Sequence, residues 1–192
     1  MMKLVKYTLL IVLVPFLSGC GYNTMVVKEE AVASQWAQVQ NVYQRRADLI
    51  PNLVNTVKGY ADFEKSTLTA VIEARSKATS VNIDASKLNA SSFKQFEEAQ
   101  AGLSNALSRL MVVVEQYPQL KANQNFLELQ SQLEGTENRI TIERMKFNEL
   151  TMDYNAFIRK FPQFIVARLF GFQQKPYFEA AKGVEKAPEV KF

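Results

Sequence analysis

No histidine occurs in this chain, and cysteine occurs once. The first absence removes the commonest general base and the commonest ligand for transition metals. The second excludes an internal disulfide framework. Seven glycines and six prolines in 192 residues leave few turn signals. No stretch shows the alternation of a half-buried strand bounded by such residues. Also missing are a Gly/Ser linker, a low-complexity tract and any visible boundary between two domains. No uninterrupted apolar run reaches the roughly 20 residues that a membrane-spanning helix needs. What remains is an ordinary balance, 47% hydrophobic and 22% charged, which suits one folded domain rather than a disordered chain. The formal charge of +4 invites a nucleic-acid reading, but the position of the charges matters more than their sum.

Two of those charges, Lys3 and Lys6, precede an apolar run of eleven residues from Tyr7 to Leu17. A positive segment followed by a short apolar one is the layout of a secretory signal, and Pro15 discourages a longer helix. Leu17-Ser18-Gly19-Cys20 follows and resembles a bacterial lipobox. In that motif small residues admit the strand to the signal peptidase. The cysteine thiol takes the diacylglycerol and becomes the mature N-terminus. The expectation is a cleaved segment 1–19 and an acylated Cys20. Several acyl chains hold a protein stably, whereas one gives only marginal binding. Gly21 follows the cysteine rather than Asp, which in a Gram-negative cell points to the outer membrane, facing the periplasm. Cleavage leaves 21 basic against 19 acidic residues, so most of the case for nucleic acid leaves with the signal.

The remainder reads as helix. Phe126, Leu133, Ile140, Phe147, Tyr154 and Phe161 recur every seven residues, with Leu129, Leu150 and Phe157 three residues after their partners. A heptad repeat of that length predicts a long helix over 119–161 packed against others with a slight left-handed supercoil. Trp36, Tyr43, Ile50, Val57 and Val71 share a second phase, joined by Val39, Leu53 and Tyr60. Because the phase carries through Pro51, the pattern predicts one helix over 23–79, kinked where Pro51 cannot bond the carbonyl of Ala47. Phe96, Leu103, Leu107, Leu110, Val114 and Tyr117 form a third stripe ending before Pro118. The Ser-, Asn- and Asp-rich stretch 80–92 reads as a loop with room for one helical turn. The predicted fold is all-α: an elongated antiparallel bundle of three to four long helices, closed by a short C-terminal apolar hook.

The motifs themselves resemble the LemA family. They are Tyr22-Asn23, Gln44 to Val54 (QRRADLIPNLV), Val57-Lys58-Gly59-Tyr60, Glu73-Ala74-Arg75, Glu115 to Asn123 (EQYPQLKAN) and Glu134 to Ile140 (EGTENRI). Tyr154-Asn155, Phe161-Pro162, Gly171-Phe172 and Pro176-Tyr177-Phe178 complete the set. The resemblance spans 22–180 in order. It implies an elongated helical bundle displayed outside the cytoplasmic membrane, here a domain over 20–181 with a loose tail at 182–192. Many members carry an uncleaved transmembrane helix where this chain has a lipobox. A His often stands where Phe63 is, which weakens any catalytic histidine here. The resemblance implies place and fold more than mechanism.

Among polar residues, Arg45-Arg46 stand out. Arg46 shares a phase with Val39 and Leu53, which aims it inward, where Glu137 or Glu143 could meet it in a layer that fixes helix register. An exposed pair whose stems cover apolar surface is the plainer reading. Asn138 and Arg139 complete the candidate contact set. Glu29-Glu30 and Glu97-Glu98 are adjacent and diverge on a helix. Glu134 and Glu137 share a face but lack the Glu-x-x-His partner of di-iron bundles. No Gly-x-Ser-x-Gly elbow or Walker loop occurs. No catalytic residue, metal or cofactor is therefore assigned.

Seven of the thirteen Phe residues lie from Phe157 onward. Phe164, Ile165, Val166, Leu169, Phe170 and Phe172 make an apolar patch around Arg168, closed by Gly171. A hook folded over one end of the bundle accounts for it. A surface at the membrane interface, aided by Arg159, Lys160 and Lys175, is the alternative. Two functional classes follow: an envelope lipoprotein that docks membrane or envelope proteins on a rigid bundle, or a binder of lipid or glycan near Arg45 and Arg46. The first predicts a filled interior and an exposed uncharged groove. The second predicts a pocket with converging Arg and Asn side chains.

Overall fold

The computed structural model describes residues 21–60 and 64–179. The signal segment, Cys20, Phe63 and the 182–192 tail lie outside the described residues. Among the described residues there are six α-helices: α1 (Tyr22–Lys58), α2 (Lys65–Ser80), α3 (Ala90–Val114), α4 (Pro118–Lys121), α5 (Gln124–Arg159) and α6 (Gln163–Phe170). No strand occurs among the described residues. The all-α prediction holds, and the loop at 80–92 contains its single turn, a 3-10 helix at Ala85–Lys87.

One helix expected over 23–79 is in fact two. The backbone leaves the helix at Gly59, and Glu64 is extended (φ −62°, ψ 110°) before α2 begins. Val71 kept the heptad phase of Val57, but the phase records burial in one core, not continuity of one helix. Gly59, the poorest helix former here after proline, marks the exit. Pro51 is not the break, for α1 runs through it. The carbonyl of Ala47, deprived of its usual donor by Pro51, instead accepts from Arg75 Nε of α2 at 2.8 Å. A buried carbonyl without a partner would cost about 1–3 kcal/mol, so Arg75 both relieves the proline defect and fixes where α2 lies.

Direction follows from the cross-links. α1 and α5, whose packing is the most extensive in the molecule, are antiparallel: Lys28 pairs with Asp153, Gln35 with Glu143 and Arg46 with Glu137. α2 returns along α1, with Arg75 against Ala47 and the 81–83 turn against Trp36 and Gln40. α3 reverses again, packing on α2 and placing Gln100 beside Ala78. Asn89 caps α3 by accepting from the backbone N–H groups of Ser91 and Ser92, and Ser92 reciprocates to Asn89 N–H. Asn123 caps α5 through Phe126 N–H at 3.0 Å. The four long helices thus run down, up, down and up.

Apolar side chains gather into two cores. The first joins Met25, Val32, Trp36 and Val39 of α1 to Phe93 and Phe96, to Ile140, Phe147, Tyr154 and Ile158, and to Phe178. The second joins Ile50, Leu53, Val54 and Val57 to Leu68, Val71 and Ala78, to Leu103, Leu110 and Val114, and to Leu120, Phe126 and Leu133. The predicted stripes supply most of both. Phe161 is the exception: α5 ends at Arg159 and Phe161 is 79% exposed.

Candidate functional site

Arg46 sits close to where the two cores meet. Its side chain is 2% exposed, and its guanidinium reaches two other helices, α3 and α5. Nη1 donates to Glu137 Oε2 at 2.8 Å and to Ser104 Oγ at 2.9 Å. Nη2 donates to Gln100 Oε1 at 2.8 Å and to the Gln100 carbonyl at 3.3 Å, while Nε has no partner. Gln100 in turn donates to the carbonyl of Ala78 at 3.2 Å, one of the acceptors left open at the end of α2. The guanidinium also lies 5.1 Å from the Tyr43 ring centre. Burial pushes the Tyr43 hydroxyl above its ordinary pKa, opposed by Arg144 and Arg46. A planar fork with several donors suits such a junction better than a point charge would.

Of the residues singled out in sequence, the structure brings Arg46 and Glu137 together. Glu143 goes elsewhere: it accepts from Gln35 Nε2 at 2.7 Å and pairs with Lys146 at 3.2 Å. The Gln35 hydrogen bond holds its pKa below the ordinary carboxylate value. Arg45, Asn138 and Arg139 are exposed and take no part in the hydrogen bonds around Arg46. The polar layer is therefore Arg46, Gln100, Ser104 and Glu137. Gln100 and Ser104 were invisible in sequence because an amide and a hydroxyl on a polar-rich helix carry no periodic signal.

Beside the layer is a cleft of about 280 Å³, lined by Gln40, Tyr43, Gln44, Asn82 and Gln100 among others. It holds amides but no arginine, because Arg46 is turned to its protein partners. A larger groove of about 460 Å³ separates α2 from α3. It is lined by the small residues Ala70, Ala74, Ala99, Gly102 and Ala106 and by the charged Glu73, Lys77, Glu98 and Arg109. The docking reading expects an uncharged groove; this one carries charged side chains of both signs. Among the described residues, no three His, Cys, Asp or Glu side chains gather as a metal site.

A second polar feature joins motifs that the sequence showed only as separate pieces, Tyr154-Asn155 and Pro176-Tyr177-Phe178. After α6 the chain turns at Gly171 (φ 78°), the left-handed conformation that favours glycine. It then runs as an extended strap, 172–179, back along α5. Asn155 grips Lys175 with both ends of its amide, accepting from the backbone N–H at 2.9 Å and donating to the carbonyl at 2.8 Å. Asn148, one heptad earlier, grips Phe178 in the same way at 2.8 and 2.9 Å. Tyr154 donates to the Gln173 carbonyl at 3.1 Å, and burial raises its pKa well above the ordinary phenol range. Phe178 enters the first core, its ring centre 4.5 Å from that of Phe93 and 5.4 Å from that of Phe147. Arg144 covers the same ring at 4.5 Å and reaches Glu97 at 3.6 Å. Burial raises the Glu97 pKa, partly offset by Arg144. Lys175 pairs with Glu29 of α1 at 2.8 Å. The strap takes the place of an added strand, with side-chain amides standing in for a neighbouring backbone.

These features define an all-α protein of long antiparallel helices, pinned by a buried arginine layer and closed by a C-terminal strap. The chain belongs to the LemA family: the profile of that family matches residues 35–192. It is similar to magnetosome protein MamQ 2 of Paramagnetospirillum magneticum, at 28% identity over 82% of this chain and 64% of the relative. Magnetosome protein MamQ of Magnetospirillum gryphiswaldense matches at 28% identity over the same shares. Protein LemA of Metamycoplasma hominis is 24% identical, over 83% of this chain and 69% of its own length. The chain thus spans less than two thirds of the magnetosome relatives' length. Among the described residues no helix is long and apolar enough to cross a membrane.

Proposed function

We propose that this protein is an acylated cell-envelope lipoprotein whose helical bundle is a rigid scaffold for membrane or envelope proteins. The observation that carries the reading is the junction at Cys20. Only Gly21 stands between the lipobox Leu17-Ser18-Gly19-Cys20 and α1, which starts at Tyr22. An anchor at Cys20 therefore joins a 37-residue helix with no flexible linker between. Such a helix extends about 55 Å at 1.5 Å per residue, long enough to carry partner contacts well away from the bilayer.

The scaffold reading is favoured over a lipid or glycan binder by what surrounds Arg46. A ligand site needs donors left open, and both Nη atoms of Arg46 are spent on Glu137, Ser104 and Gln100. Two apolar cores occupy the bundle interior, and the groove between α2 and α3 is open to a partner. Cys20→Ala tests the anchor: lipid labelling is lost, and the chain is released or mislocalised. Unchanged labelling would sink the proposal. Crosslinking in the native membrane tests the scaffold role, which loses to the ligand reading if no protein is captured.

A further inference from the structure

The helix α6 is inside out for a water-facing element. Val166 and Ala167 are buried, as a helix docked on a core requires. Its other face, where charged and polar residues belong, carries Phe164, Ile165 and Leu169, with Phe161 and Phe170 beside them. Phe161, Leu169 and Phe170 are 79%, 77% and 60% exposed. Meanwhile the polar Gln163 turns inward, its Oε1 buried without a partner. Contiguous apolar exposure of this kind marks a contact surface rather than a chance residue.

Charge and position say what the surface meets. From Tyr154 to Phe178 there is no Asp or Glu, while Arg159, Lys160 and Arg168 are exposed around the patch. Exposed aromatic and aliphatic side chains with cations at their border are the composition of an interfacial helix on an anionic bilayer. The patch is also beside the anchor. A Cβ placed on Gly21 would lie 3.2 Å from Gln163 of α6, and the Tyr22 ring centre is 4.8 Å from that of Phe170. Cys20 is the next residue, about 3.8 Å away along the backbone. Acyl chains on that residue would therefore leave the chain at the α6 end of the bundle.

We infer that the outer face of α6 is a membrane-binding surface that lies in the headgroup region of an anionic bilayer beside the acylated Cys20. This rests on the lipoprotein reading and adds a second attachment to it. One anchored sulfur would leave the bundle free to swing. A second contact a few residues away in space fixes its tilt, with α1 and α5 directed away from the bilayer and the Pro118 turn at the far end.

The test uses the mature acylated protein in vesicles of phosphatidylethanolamine and phosphatidylglycerol. Acylation consumes Cys20, so Leu169→Cys provides a unique thiol for a nitroxide label. Leu127→Cys, exposed near the start of α5 at the far end, is the control. Oxygen, which partitions into lipid, should relax the label at 169 several-fold more than a water-soluble nickel chelate does. The order should reverse at 127. Removing phosphatidylglycerol should shift the label at 169 toward the chelate. Equal behaviour at both sites, with acylation of Cys20 confirmed by mass, overturns this inference and leaves the anchor standing. Protection from both reagents together with crosslinked dimers assigns the face to a second copy and also overturns it. A mature chain without acyl mass overturns the anchor and this inference with it.

Discussion

Arg46 gives up nearly all of its hydration, whereas its partner Glu137 keeps 55% of its side-chain surface in solvent. That asymmetry predicts an asymmetric mutational response. Glu137→Ala leaves a buried guanidinium with only neutral partners and should cost about 2–4 kcal/mol, since removing one partner of a buried ion strands the other. Arg46→Met leaves a carboxylate that water can reach and an aliphatic chain of similar reach. It should cost less, about 1–2 kcal/mol, chiefly through the lost bonds to Gln100 and Ser104. Urea unfolding of the two variants checks the order, and a larger loss for Arg46→Met would refute the account. Arg46 itself was legible in sequence because its heptad phase aimed it inward. The choice of Glu137 over Glu143 was not, since the two lie about 9 Å apart along α5 and the register of α5 against α1 decides which one Arg46 meets.

At the scale of elements, the strap is the clearest case of structure held by side chains. Its backbone groups at Lys175 and Phe178 are satisfied by Asn155 and Asn148, so a single amide supports both donor and acceptor. Asn155→Ala should strip two hydrogen bonds at once and raise amide exchange across 172–179, with little change in α2 or α3. Phe178→Ala should cost about 3–4 kcal/mol, as for other buried Phe truncations. Exchange mass spectrometry separates the two, the first acting locally and the second on the whole first core. The strap could not be read from periodicity, because an extended segment lying on a helix has neither the 3.6-residue nor the two-residue pattern. The split of 23–79 into α1 and α2 failed to show for the opposite reason. Its periodicity was real, yet both helices feed one core in the same phase.

Across the whole molecule, the two cores are tied by helices that run through both. α1 supplies Trp36 to one and Leu53 to the other, and α5 supplies Phe147 and Leu133. Shared helices should make unfolding a single transition. Leu110→Ala, in the second core, should therefore lower the unfolding free energy reported by Trp36 fluorescence in the first, by about 2–5 kcal/mol. A Trp36 transition left unmoved, while helical content melts earlier, would show that the cores unfold separately.

Much of this protein was decided by its sequence alone. Heptad phase fixed which faces are buried, the scarcity of glycine and proline fixed the all-α class, and the ordered motifs fixed the family. The lipobox set the expectation of an anchor. These properties are local or periodic, and a linear pattern can carry them. Tertiary structure decided the rest: the reversal between α1 and α2, the carboxylate that Arg46 meets, and Arg75 filling the carbonyl freed by Pro51. It also decided that the Phe-rich C-terminus divides, Phe178 entering the core while Phe164 and Leu169 face outward. Each depends on which residues distant in sequence come within hydrogen-bonding or packing distance, and only the three-dimensional register of the helices determines that.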